Sequence, residues 1–189
     1  MKKTTIGFAM CGSFCTFDKA IEQMEKLSQQ YDIIPIMSSN AYNTDTRFGK
    51  AEDIRRKVED ICKNKVIHTI TEAEPIGPKK MCDIIAVAPT TGNTLSKLCN
   101  GITDTPVTMA VKSHLRILRP VVLCIASNDS LGASAKNIGM LLNTKNIFFV
   151  PFGQDDPNLK PNSLVADFTK LPNTIEAALE NKQLQPVII

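Results

Sequence analysis

Three short segments carry hydroxyl, amide and glycine residues directly behind apolar runs: Cys11-Gly12-Ser13-Phe14-Cys15-Thr16, Ser38-Ser39-Asn40-Ala41 and Pro89-Thr90-Thr91-Gly92-Asn93-Thr94. Each has the composition of a chain leaving a strand and entering a helix. A helix start presents free backbone N–H groups and the positive end of the peptide dipole, and Ser, Thr and Asn side chains add further donors; together they suit a phosphate. Gly12 permits close backbone approach, and Ser13 is placed both to cap the following helix and to meet a phosphate oxygen. One such segment is an ordinary helix cap. Three on one edge of a sheet point to a phosphate-bearing ligand.

The elements that must position these segments alternate between strand and helix. Apolar runs at 4–10, 32–38, 66–70, 84–88, 121–126 and 147–150 read as strands, the Val- and Ile-rich ones as buried on both faces. Helical spacing covers 17–30, 50–64, 93–100, 107–118, 133–142 and 173–180, with Gly101 as a C-terminal cap. The polar stretch 39–49 reads as a long loop, 151–170 as an irregular flap and 184–189 as an apolar tail. This alternation predicts one α/β domain over 1–189, a doubly wound parallel sheet in three α/β/α layers of Rossmann-like type. In that topology the carboxyl ends of the first, second and central strands converge, which brings the three segments together.

Two familiar nucleotide motifs are missing. No G-x-G-x-x-G occurs, and Gly7 and Gly12 have P-loop spacing but are followed by Ser13 and Phe14 in place of Lys and Ser/Thr. The expected ligand is therefore a mononucleotide or similar. A net charge of +3 with dispersed Lys and Arg argues against nucleic acid. No segment approaches the ~20 apolar residues of a membrane span, and the short apolar start at 4–10 continues into a strand instead of a cleavage site. The six cysteines match no zinc pattern. Cys82 and Cys124 lie in or beside apolar runs and read as reduced core thiols, which suits a reducing cytoplasm. His68 and His114 read as ordinary structural or surface residues.

The segment Pro89-Thr90-Thr91-Gly92-Asn93-Thr94, running on to Lys97, Gly101-Ile102 and Asp104, resembles the central motif of the homo-oligomeric flavin-containing Cys decarboxylase family, as do the Gly12-Ser13 loop and Ser38. The resemblance spans residues 4–150. It implies a flavodoxin- or flavoprotein-like fold, with FMN held by Gly12, Ser13, Phe14, Ser38, Thr91, Gly92, Asn93 and Thr94. Two departures argue against decarboxylation. Pro75 stands where that family has its catalytic His, and only Ala126 and Asn128 match the family's segment after the next strand.

Within the superfamily, Asn43-Thr-Asp-Thr-Arg-Phe-Gly49 and Val150-Pro-Phe-Gly-Gln-Asp-Asp-Pro157 with Lys160-Pro161 are similar to the dipicolinate-forming branch of spore-forming bacteria. That likeness implies a cytoplasmic two-subunit oxidoreductase. Its reaction converts a hydroxy-tetrahydrodipicolinate to pyridine-2,6-dicarboxylate during sporulation, with NADP or NAD on the partner A subunit. It also implies a homo-oligomer, trimeric or higher. A dicarboxylate substrate calls for cations and amide donors, for which Arg47, Lys160 and Asn128 are candidates. Asp45, Asp155 and Asp156 are possible bases that nothing ranks. Two other readings stay open: an FMN-dependent decarboxylase or flavin prenyltransferase, and a non-catalytic assembly protein with a vestigial phosphate pocket. The tail 186–189 and the loop 43–49 are candidate partner surfaces.

Overall fold

Every residue of β1 (Thr5–Met10) and β3 (Ile84–Thr90) is buried, and β4 (Val121–Ser127) is buried up to its last residue, in the computed structural model, which describes residues 3–189. Strands without polar alternation need cover on both faces, and these have it. β1 pairs in parallel with β2 (Asp32–Met37) and β3, and β4 pairs in parallel with β3 and with β5 (Ile147–Phe149). The strand order β2-β1-β3-β4 turns outward in opposite directions from β1 and β3. Their carboxyl ends therefore open the crevice that such sheets use for ligands.

The helices bury one apolar stripe each. α1 (Phe17–Ser28) buries Phe17, Ala20, Ile21, Met24 and Leu27, the spacing of a single helix face. It packs with α3 (Ala51–Cys62) and α8 (Leu171–Leu179) on one side of the sheet. α5 (Gly92–Cys99) contacts α6 (Pro106–Leu115) and α7 (Ala135–Leu142), and α6 also packs on α4 (Ile70–Ala73). Local signals set the helix starts. Thr105 forms a capping box with Thr108 ahead of Pro106, and Thr69 forms one with Glu72.

Three expectations change. The run 66–70 forms only an isolated parallel bridge, Ile36 with Ile67, because the residues that follow turn at once into the cap of α4. The stretch 39–49 opens with a short helix, α2 (Ser39–Asn43), and ends in a tight turn in which Thr46 and Gly49 exchange backbone hydrogen bonds of 3.0 and 3.1 Å. The supposed irregular flap is largely an antiparallel hairpin of β6 (Phe152–Asp156) and β7 (Lys160–Ala166), and β7 also pairs with the end of β4. Its Pro and Asp residues mark the hairpin turn, where Asp156 Oδ1 accepts from the Asn158 and Leu159 amides. His114, read as structural or surface, is fully buried, and neither ring nitrogen has a hydrogen-bond partner among the described residues.

The tail runs along β6: Phe152 N–H donates to Val187 O at 3.0 Å and Ile189 N–H to Phe152 O at 3.1 Å. All six cysteines are free thiols. Among the described residues, no helix is long and apolar enough to cross a membrane. Met1 and Lys2, which precede the apolar run 4–10, lie outside the described residues.

Candidate functional site

Backbone hydrogen bonds tie the three loops to one another. Cys11 N–H donates to Pro89 O at 3.2 Å, and Ser38 N–H donates to Met10 O at 3.0 Å. A Cβ placed on Gly12 would lie 3.6 Å from Asn40 Cβ, so the first loop abuts the first turn of α2. The loops after β1, β2 and β3 thus form one continuous edge, as the topology predicts.

Cys11 sits at the centre of this edge. Its sulfur accepts a hydrogen bond from Thr94 Oγ1 at 3.2 Å, across 83 residues of chain. Burial pushes the thiol up to about 11, against the opposing pull of the Thr94 hydroxyl and the Thr91 amide, so it stays protonated. Thr94 Oγ1 lies 3.1 Å from Thr91 Oγ1, which in turn accepts from the Thr94 amide at 3.3 Å. A hydroxyl carries one proton. With Thr94 donating to Cys11, Thr91 donates to Thr94, and both protons stay inside the protein. Thr91 and Thr94 therefore brace the edge and do not offer hydroxyl donors outward.

The hydroxyls left free to donate lie in the first two loops. Among the described residues the Ser13 hydroxyl has one hydrogen-bond partner, Cys15 Sγ at 3.9 Å, and it caps nothing: the turn after it is a short 3-10 segment, and α1 starts after Thr16. Ser38 Oγ accepts from the Ala41 amide at 3.2 Å, which leaves its own proton available. Gly12, Ser13 and Phe14 are partly exposed, as is Ser38. A phosphate fits this donor set at Gly12, Ser13 and Ser38.

The mouth of α5 differs. Thr91 caps it, Asn93 is exposed, and Gly92 is buried against oxygens of the loop after β4. Asp129 in that loop accepts from Ser127 Oγ at 2.6 Å and from Ser134 Oγ at 3.2 Å. Sequence reasoning passed over Asp129, although an Asn-Asp-Ser run directly behind a strand is a signal of the right kind. Asn128 beside it is exposed.

The weaker candidates lie around this edge. Arg47 is exposed at the tip of the 46–49 turn, its guanidinium 4.9 Å from the Phe48 ring centroid. Phe48 and Phe14 together line a cavity of about 180 Å³ that also touches Lys50 and Ile54. Lys160 is exposed on the hairpin and paired with Asp155 at 2.7 Å. That carboxylate raises the Lys160 pKa. The three possible bases have structural partners: Asp155 pairs with Lys160, Asp156 closes the hairpin turn, and Asp45 accepts from the Ala51 amide at 2.8 Å. Pro75, in place of a catalytic His, is half-buried in a 3-10 turn.

A larger groove of about 590 Å³ between α1 and α3, walled by Glu25, Asp53, Arg56, Lys57 and Asp60, shares no residue with the three loops. His68 stacks on Tyr42 at 4.0 Å, and Glu72 lies 3.4 Å from its Nδ1.

A sequence profile described as Flavoprotein matches residues 1–176. The B subunit of dipicolinate synthase from Bacillus subtilis (strain 168) is 47% identical over 190 residues, covering 100% of this chain and 95% of that protein. The crystal structure of the dipicolinate synthase B subunit from Bacillus halodurans C superposes with a TM-score of 0.90 at 44% identity, covering 100% of this chain and 98% of that one. The FMN-dependent cysteine decarboxylase SpaF gives a TM-score of 0.66 at 20% identity over 95% of this chain and 97% of its own, a likeness of fold.

Proposed function

The chain belongs to the flavoprotein family, and from that membership we propose that it is the flavin-carrying B subunit of a dipicolinate synthase. The supporting observation is the joint edge of three loops, with outward donors at Gly12, Ser13 and Ser38, in a chain 47% identical along its whole length to a dipicolinate synthase B subunit. In this reading those three residues hold the phosphate of FMN. Phe14 and the Thr91-Gly92-Asn93-Thr94 turn flank the rest of the cofactor, with Thr91 and Thr94 bracing the turn through Cys11. When bound, a flavin supplies a two-electron acceptor.

Aromatising a hydroxy-tetrahydrodipicolinate removes water, a hydride and a proton. The residues of this chain serve the substrate and not the electrons. Arg47 and Lys160 are the cations assigned to its two carboxylates, and Lys160 exchanges Asp155 for a substrate oxygen. Asn128 orients the ring from the end of β4. The A subunit contributes NAD or NADP, and the assembly works in the cytoplasm with this chain as a homo-oligomer, trimeric or higher.

The test is co-purification with the A subunit, a visible spectrum, and dipicolinate formation by each protein alone and by the two together. A chain with no flavin band and no FMN uptake, or a complex equally active without this chain, sinks the proposal. A second reading, a non-catalytic assembly protein, draws support from the internal use of the Thr91 and Thr94 hydroxyls. It predicts that Ser13→Ala and Asn93→Ala leave the complex fully active, whereas the flavin reading predicts loss of FMN and of activity together in Ser13→Ala.

A further inference from the structure

At the mouth of α5 the nearest oxygens belong to the protein itself. A Cβ placed on Gly92 would fall 2.5 Å from Asp129 Oδ1, 2.7 Å from Ser127 Oγ and 2.8 Å from Ser134 Oγ. Only the missing side chain lets these three atoms close on the first residue of the helix. Ser127 Oγ donates to Asp129 Oδ1 at 2.6 Å, and Ser134 Oγ reaches Oδ1 at 3.3 Å and Oδ2 at 3.2 Å. Both hydroxyl protons are thereby committed to the carboxylate, and the trio presents lone pairs alone. Ser134 is 3% exposed, while Asp129 remains open to solvent. A phosphate or carboxylate brought here meets the Asp129 charge, which opposes the pull of the free backbone N–H groups at the helix start. An N–H group meets a charged acceptor.

We propose that Asp129 selects the donor edge of the bound ligand, an N–H group such as the imide of an isoalloxazine ring, and turns anionic groups away from Gly92. This rests on the flavin reading above and deepens it. β1 and β4 flank β3 in the sheet, so the loops behind them are on the order of 10 Å apart at ordinary strand spacing. In FMN the ribityl chain and the width of the ring together separate the phosphate from the imide edge by a distance of that order, so a phosphate held at Gly12, Ser13 and Ser38 would leave the imide edge within reach of Asp129. The doubly negative substrate is repelled from the same position and directed toward the hairpin side, where Lys160 lies.

The experiment is a fluorescence titration of the purified chain with FMN and with 3-methyl-FMN, whose imide N–H is blocked, in the wild type, Asp129→Asn and Asp129→Ala. The wild type is expected to bind FMN at least about tenfold more tightly than 3-methyl-FMN, in line with a hydrogen bond to a charged acceptor. In Asp129→Ala that ratio should fall to near one. Equal wild-type affinity for the two flavins, or a ratio that persists in Asp129→Ala, overturns the inference while leaving the flavin reading intact. No uptake of either flavin by the wild type overturns both. Should Asp129→Ala fail to fold, the wild-type comparison still decides.

Discussion

Acid should destabilise this protein through His114. The ring is 0% exposed on α6, and neither nitrogen has a partner among the described residues. Burial first, and the Arg119 guanidinium second, lower its pKa from 6.5 to about 4, while the Pro120 carbonyl and the Asp83 carboxylate lean the other way and are outweighed. Arg119 is held in place by Asp83 at 3.3 Å and by a hydrogen bond to the Cys82 carbonyl. An unfolded chain protonates this imidazole near 6.5 and the folded chain only near 4, so between those values the unfolded state binds more protons. Stability from this group is therefore complete above about pH 6.5 and drains away as the pH falls toward about 4. The drop from 6.5 to about 4, at about 1.4 kcal/mol per pH unit, amounts to roughly 3 kcal/mol. That is a large share of the ~5–15 kcal/mol that holds a typical domain together. Urea unfolding of the wild type and of His114→Leu across this pH range isolates the effect, because the carboxylates common to both proteins cancel in the difference. The gap between the two should move by about 2–3 kcal/mol in favour of the variant between neutral and acid pH. Parallel curves, or an NMR titration that places the folded His114 near 6.5, would refute the reasoning.

The remaining expectations concern the loop edge and the thiols. Gly92→Ala forces three oxygens at 2.5, 2.7 and 2.8 Å to retreat; overpacking of about 1–3 kcal/mol should lower the melting temperature by several degrees, and an unchanged melting curve would show that the loop yields freely. Thr94→Val removes the hydroxyl between Thr91 and the Cys11 sulfur, at about 1 kcal/mol of stability in a urea titration, and Thr94→Ser should restore most of it. Cys11 is held near 11, Cys62 and Cys82 near 12 and Cys124 well above its ordinary value, each chiefly by burial. A disulfide reagent should therefore label only Cys15 and Cys99 in the native protein, and rapid labelling of a third thiol under native conditions contradicts this.

Much of the site was legible because its signals are local. A strand buried on both faces writes itself as an unbroken apolar run, as in Ile84–Thr90, and a cap needs only a hydroxyl at the right place, as at Thr91, Ser38 and Thr105. Parallel topology then carries two such caps and the Gly12-Ser13 loop to one edge, which is why Gly12, Ser13, Ser38 and Thr91 fall together. The hairpin Phe152–Asp156 with Lys160–Ala166 was missed because its strands are largely polar, and they pair with a partner the local pattern does not name.

The amino-acid order alone determined the layers, the strand ends and the kinds of group that meet there, since propensity, periodicity and capping act over a few residues. Which way those groups point was decided by contacts across the chain. The Thr91 and Thr94 protons turn inward because Cys11 arrives from 83 residues away. Gly92 carries a carboxylate at its back because the loop after β4 folds onto α5. His114 is buried because α6 lies on the sheet. A hydroxyl can donate or accept and a histidine can be charged or neutral, and only the surrounding fold supplies the partner, or the lack of one, that chooses.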